Sequence, residues 1–203
     1  MDKGMILETV VVGQLETNCY IFGSSETKEV LLIDPGAEPE KIKAVLNKMQ
    51  AIVKAVILTH GHYDHTGAME EFDVPIYIHA DEFDFLKEDT SCYCAVKDQR
   101  ILDNFKLIKD GDSISAGIQK LTVLDTPGHS AGGISLKGEG VVFSGDTLFA
   151  QGIGRTDLPG GSYRQLIDSI KTKLMILDDA VVVLPGHGAQ TTIGQERMEY
   201  LYS

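Results

Sequence analysis

The chain has no tryptophan, only three cysteines, and no apolar stretch that approaches the length of a membrane span. A helix that crosses a bilayer needs about 20 consecutive apolar residues, so no transmembrane helix is expected. Three cysteines are an odd count and too few for a disulfide framework. Cys19 lies in an apolar strand-like run, and Cys92 and Cys94 are too close to form an easy bridge. Free thiols in a reducing cytosol fit best, with a redox pair at Cys92-Tyr93-Cys94 as the minor reading. Positive charge is also short: 18 Lys and Arg stand against 30 Asp and Glu, a net charge of −12. No basic run is visible, which argues against nucleic acid and against anionic membrane surfaces as partners. Residues 1–13 lack a charged segment followed by a long apolar core, so no signal peptide is read and a cytoplasmic location is expected.

Other features are ordinary or abundant. Hydrophobic residues make up 43% and charged residues 24% of the 203 positions, which is globular usage and excludes disordered, collagen-like and coiled-coil chains. Glycine reaches 21 residues, enough for many tight turns. Composition does not break along the chain, and no repeat or linker divides it, so residues 1–203 read as one domain. Short apolar runs alternate with helical patterns. Strands are expected over 5–12, 17–23, 30–33, 52–58, 76–78, 118–124, 133–136, 141–144 and 181–184. Helices are expected over 39–49, 66–72, 81–87, 163–177 and 195–200, and 88–112 carries no clear pattern. The mixture indicates a layered α/β protein.

The ends of the strands carry the information about function. AVILTH ends at His60, LTVLDTPGH at His129, VVFSGD at Asp146 and VVVLPGH at His187. Reactive groups gather at the carboxyl ends of strands in open α/β sheets. Five of the six histidines lie at these ends. The densest group is Thr59-His60-Gly61-His62-Tyr63-Asp64-His65. His60 and His62, two apart on an extended loop, point the same way. Asp64 and His65 follow at the start of a helix and diverge, so the group can face two points, which suits two metal ions. Imidazole and carboxylate without thiolate select hard-to-borderline cations, and two ions about 3.5–4 Å apart form a hydrolytic arrangement.

H-x-H-x-D-H at 60–65, followed by His129, Asp146 and His187, resembles the metallo-β-lactamase superfamily, over essentially the whole chain. The segments TNCYIF, IDPG, THGHYDHTG, TPGHS, GDTLFAQGIGRTD and LPGHG are similar to its glyoxalase II-like branch, which includes hydroxyacylglutathione hydrolases. The resemblance implies a four-layer αββα sandwich of two mixed sheets, with the metals at one edge. It implies that His60, His62 and His129 hold one divalent ion, that Asp64, His65 and His187 hold a second, and that Asp146 bridges both. Zinc is the expected metal, with iron or manganese as alternatives.

A water between two such ions is acidified towards neutrality and serves as hydroxide. Asp64 orients it, one ion polarises the carbonyl under attack, and the other stabilises the leaving anion. A thiolate leaves readily, since a thiol pKa is about 8.5. The expected substrate is therefore a small molecule, a thioester such as a hydroxyacyl-thiol adduct. Full-length hydroxyacylglutathione hydrolases carry a helical C-terminal extension; only fifteen residues follow Gly188 here, and the family's contacts after the bridging Asp give way to GIGRTD, so the thiol carrier stays open. The runner-up is a persulfide dioxygenase-like enzyme with one iron on His60, His129 and Asp146. Exported class B β-lactamases fit poorly.

Arg155 sits in the Gly-rich loop past Asp146 and reads either as a contact to a substrate carboxylate or as a structural ion pair with Asp157. Tyr163 and Arg164 read as surface residues and His79 as structural. Asp34, before Pro35-Gly36, reads as a turn or cap residue.

Overall fold

The computed structural model describes residues 4–87, 90, 92–93 and 95–202. Fourteen strands and six α-helices are present among them. Strands β1 (Met5–Val12), β2 (Thr17–Ser24), β3 (Glu29–Ile33), β4 (Ile52–Ile57), β5 (Ile76–His79) and β6 (Phe105–Ile108) form one sheet in that spatial order. The first three pair antiparallel and the last three join in parallel. A second six-stranded sheet has the order β14 (Thr191–Thr192), β13 (Val182–Pro185), β10 (Val141–Gly145), β9 (Ile134–Lys137), β8 (Gln119–Asp125) and β7 (Ser113–Ala116). Its β10–β13 pair is parallel. A small hairpin of β11 (Leu148–Phe149) and β12 (Gly152–Ile153) follows β10.

Side-chain alternation along the central strands builds the layers. On β2, Tyr20 and Phe22 face the second sheet, meeting Phe143 edge to face at 5.1 and 5.5 Å between ring centroids. Cys19 and Ile21 face the other way, into the cluster that includes Ile42 and Leu46 of α1 (Pro39–Met49). On β10, Val141 and Phe143 enter the core between the sheets, while Val142 packs under Leu166 of α5 (Tyr163–Ser169) and Ile193 of α6 (Ile193–Tyr202). Strands covered on both faces read as unbroken apolar runs, as these do. The architecture is the expected α/β sandwich of two mixed sheets between helical layers.

Several local expectations shift. The helix expected over 66–72 is α2 (Tyr63–Thr66) followed by a 3₁₀ turn, Met69–Glu71. That expected over 81–87 divides into α3 (Ala80–Phe83) and a 3₁₀ turn, Phe85–Lys87. The helix starting at Tyr163 widens into a π turn over Ile170–Leu174. Within 88–112 lie α4 (Gln99–Asn104) and the edge strand β6, whose burial does not alternate, because Lys106 and Leu107 are both exposed. β7 carries no expected counterpart, and Ile118 is exposed in the turn before β8. Cys19 and Cys92 are buried free thiols; Cys94, and with it the Cys92–Cys94 pairing, lies outside the described residues. No helix of the described residues is long and apolar enough to cross a membrane.

Candidate metal centre

Four strand ends meet at one edge of the sandwich. β4 delivers the 59–65 segment, the turn after β8 delivers His129, β10 delivers Asp146, and the turn after β13 delivers His187. His62 precedes the first turn of α2 in an extended conformation, and Asp64 and His65 lie within that turn. The turn sits against Gly36, where any Cβ would overlap the Asp64 carbonyl. Gly186 answers the same demand on the opposite side, since a side chain there would run into Asp146 Oδ1 and His65.

All seven residues named from the sequence converge. Ligand-type atoms of His60, His62 and His129 lie within 4.8 Å of one another, as do those of Asp64, His65 and His187, and those of His60, His65 and Asp146. In the second group the three edges are 3.3 Å (His65 Nε2–His187 Nε2), 3.4 Å (His65 Nε2–Asp64 Oδ2) and 3.1 Å (His187 Nε2–Asp64 Oδ2). Donors at tetrahedral positions about 2.0–2.1 Å from one ion stand roughly 3.3 Å apart, so this triangle has the size of one coordination face. Asp146 reaches both groups, with Oδ1 3.4 Å from His65 Nε2, and Oδ2 3.6 Å from both His129 Nε2 and His187 Nε2. His60 Nε2 and Asp146 Oδ1 are buried without a hydrogen-bond partner among the described residues. An unsatisfied buried polar atom costs about 1–3 kcal/mol, and such atoms are sustained where a ligand completes them. The donor set thus fits divalent cations.

The outward nitrogens explain which ones face the centre. His129 Nδ1 donates to the Arg155 carbonyl at 2.8 Å and His187 Nδ1 to the Leu15 carbonyl at 2.9 Å. His65 Nδ1 donates to Asp34 Oδ2 at 2.9 Å. Thr59 Oγ1 spends its proton on Asp34 Oδ2 at 2.6 Å, so it accepts from His60 Nδ1 at 3.1 Å. Each of these imidazoles therefore turns Nε2 towards the centre. Asp34 is not a capping residue, as the Pro-Gly that follows it suggested. It is buried, lies in the left-handed region with φ 52°, and accepts from the Thr59 N–H, the Thr59 hydroxyl and His65. Its sequence signal was only its place at the end of an apolar strand.

Electrostatics divide the site. Burial, reinforced by the neighbouring imidazoles, drives the His60 pKa far down and that of His62 to about 3, so both are neutral and fit to bind a cation. Burial would also lower His65 and His187, but carboxylates outweigh it, Asp146 and Asp34 at His65, Asp64 and Asp146 at His187, and both are raised. For Asp64, burial acts upward, and hydrogen bonds from His187 and His65 more than offset it and hold the carboxyl below its ordinary range. Thr17 Oγ1 donates to the same Asp64 oxygen at 3.2 Å.

Arg155 stands beside the centre, but its guanidinium is exposed and forks onto Asp157 through two 2.7 Å hydrogen bonds. This pairing pulls the Asp157 carboxyl down to about 2. What Arg155 gives the centre directly is its carbonyl, which a sequence motif does not reveal. Tyr163 and Arg164 are exposed at the start of α5. His79 accepts from the Asp81 N–H and caps α3.

Comparisons agree with the geometry. The Metallo-beta-lactamase superfamily description matches residues 12–187. A hydroxyacylglutathione hydrolase, GloC of Haemophilus influenzae, is 34% identical over 95% of each chain. Among solved structures, the BLEG-1 B3 metallo-beta-lactamase is 33% identical with a TM-score of 0.84, over 98% of this chain and 100% of that one. TTHA1623 in a di-iron-bound form is 32% identical with a TM-score of 0.79, over 94% and 96%. Sequence motifs, a sandwich that gathers five histidines and two aspartates at one edge, and these similarities together make the chain a member of the metallo-β-lactamase superfamily, on its glyoxalase II-like branch.

Proposed function

We propose that this protein hydrolyses a thioester of the hydroxyacyl-thiol type, using two divalent ions, zinc in the first instance and iron or manganese as alternatives. The observation that carries the reading is the pair of adjacent ligand groups with Asp146 between them. A one-iron oxygenase would leave the 3.1–3.4 Å triangle of Asp64, His65 and His187 without employment. His60, His62 and His129 would hold the first ion, Asp64, His65 and His187 the second, and Asp146 both. Bound there, the ions supply an acidified water and positive charge for the carbonyl oxygen and the departing thiolate.

The chain's own groups do the rest. Asp64, held by Thr17, accepts a hydrogen bond from the attacking water and orients it. Solvent reaches the centre from its more open side, where the side chains of His187, Asp64 and Asp146 are 26%, 14% and 12% exposed. Leu15 and Phe149 stand beside His187 on that side and suit the uncharged part of an acyl-thiol. The carboxyl product and the free thiol account for the substrate and one water. Arg155 exchanges Asp157 for a substrate carboxylate. The net charge of −12 suits a small-molecule partner and not nucleic acid or a membrane surface, and the free thiols suit a cytoplasmic protein.

The test is metal analysis of purified protein alongside three assays: release of thiol from a hydroxyacylglutathione thioester, oxygen uptake with a persulfide, and opening of a chromogenic β-lactam. Two ions per chain and thioester cleavage independent of oxygen are expected. One ion with oxygen uptake, or β-lactam opening far above thioester cleavage, overturns the reading.

A further inference from the structure

Glu82, on α3, is fully buried, and nothing in the sequence singled it out. Its two oxygens face two different loops. Oε2 accepts from the backbone N–H of Gly61 at 2.8 Å, and Oε1 accepts from the N–H of Gly132 at 2.7 Å. Gly61 is the residue between His60 and His62, and Gly132 lies three residues past His129. The Tyr93 hydroxyl donates to Oε2 at 3.4 Å, and the Tyr93 ring stands 5.0 Å from the His62 ring, edge to face. Tyr93 is itself stacked on Phe85, in the turn that follows α3. One carboxylate therefore touches the loop of His60 and His62, the loop of His129, and the aromatic ring that braces His62. It touches no part of the Asp64, His65, His187 group.

We propose that Glu82 is a positioning residue that clamps together the two loops bearing His60, His62 and His129 and so sets the affinity of the first ion. The clamp rests on assigning that ion to these three histidines. A carboxylate is the side chain that can do this, because both of its oxygens accept and neither donates. Glutamine has the same volume but one accepting oxygen, so its amide would set a donor against one of the two N–H groups. A residue that merely filled space would tolerate that exchange; a two-loop clamp does not. Outer partners of metal ligands commonly govern affinity tenfold to hundredfold.

The experiment measures the affinity of each ion in the full chain by competition with a chromophoric chelator, together with thermal unfolding. Glu82→Gln is expected to weaken the first ion by about ten- to a hundredfold and leave the second ion near its wild-type affinity. Leu46→Ala, a cavity under α1, is the stability control and should leave both affinities unchanged. Wild-type affinity for both ions in Glu82→Gln, or equal weakening of both ions in the two variants, overturns the clamp. His62→Ala separates the assignments: if it leaves ion stoichiometry and affinity untouched, the first-ion reading fails and not the clamp. Amide exchange in the wild-type chain applies even if Glu82→Gln does not fold. The Gly61 and Gly132 amides should exchange slowly and together, with ions present or stripped, and rapid exchange of either overturns the proposal.

Discussion

The imidazoles of His60, His62 and His129 are almost sealed from water and have no carboxylate of their own, whereas Asp64 and His187 stand closer to solvent and share a hydrogen-bonding carboxylate with His65. The first group is held from outside, by Thr59 behind His60, by the Arg155 carbonyl behind His129, and by the Glu82 contacts to both loops. The second is held largely from within, by the contacts of Asp64 to His65 and His187, with Thr17 and Asp34 at its edges. The difference teaches that adjacent halves of one centre can be preorganised by different means. Imidazoles attract one another through no more than an ordinary hydrogen bond, here between His62 Nδ1 and His129 Nε2 at 2.9 Å, so most of their geometry comes from the scaffold. A carboxylate among imidazoles supplies its own attraction.

Asp146 is where the comparison breaks most severely, because it belongs to both halves. Asp146→Ala should leave at most one ion per chain and lower thioester turnover by about a thousandfold, the loss of several kcal/mol of charge stabilisation; ion counting with steady-state kinetics checks it. Two retained ions would mean the halves do not share this residue. Asp64→Asn touches only the second half. It should cost about a hundredfold in kcat while the ion at His60, His62 and His129 stays bound. Turnover near wild type would remove Asp64 from its role with the attacking water.

Stripping the ions tests how much each half depends on them. An ion present at a hundred times its Kd stabilises the fold by about 2.7 kcal/mol. For a chain of this size that is a Tm rise of about 5–10 °C per ion, read by calorimetry with and without chelator. Asp64→Asn should keep the share due to the first ion. The smallest effect is expected at Arg155, outside both halves. Arg155→Ala should keep both ions and the wild-type Tm, because its exposed pair with Asp157 is screened by solvent, and should lower kcat/KM about tenfold through a lost substrate carboxylate contact. An early melt with unchanged kcat/KM would make Arg155 purely structural.

Much of the candidate centre was legible because its donor-type residues lie in short segments with turn residues between them. H-x-H-x-D-H occupies six consecutive positions, and His129 and His187 each follow a Pro-Gly turn at the end of an apolar run. The supporting groups were not legible. Asp34 lies 31 residues from His65, Glu82 lies 50 from Gly132, and Leu15 lies 172 from His187. Two of the acceptors, the carbonyls of Leu15 and Arg155, are backbone atoms whose side chains give no hint of the task. The small strands β6 and β7 escaped for a related reason: four residues at a sheet edge carry too little alternation to declare themselves.

Local chemistry was written in the chain order itself: which residue types can hold a cation, which strands are apolar enough to be covered on both faces, and where glycine lets the backbone turn. These follow from side-chain identity and from periods of two and 3.6 residues, which act over a few positions. The tertiary structure alone decided which nitrogen of each imidazole faces inward, that Asp34 supports His65 and Thr59, that Arg155 meets Asp157, and that Glu82 joins two loops. Those outcomes depend on hydrogen bonds between residues distant in sequence, and their geometry exists only once the two sheets have packed.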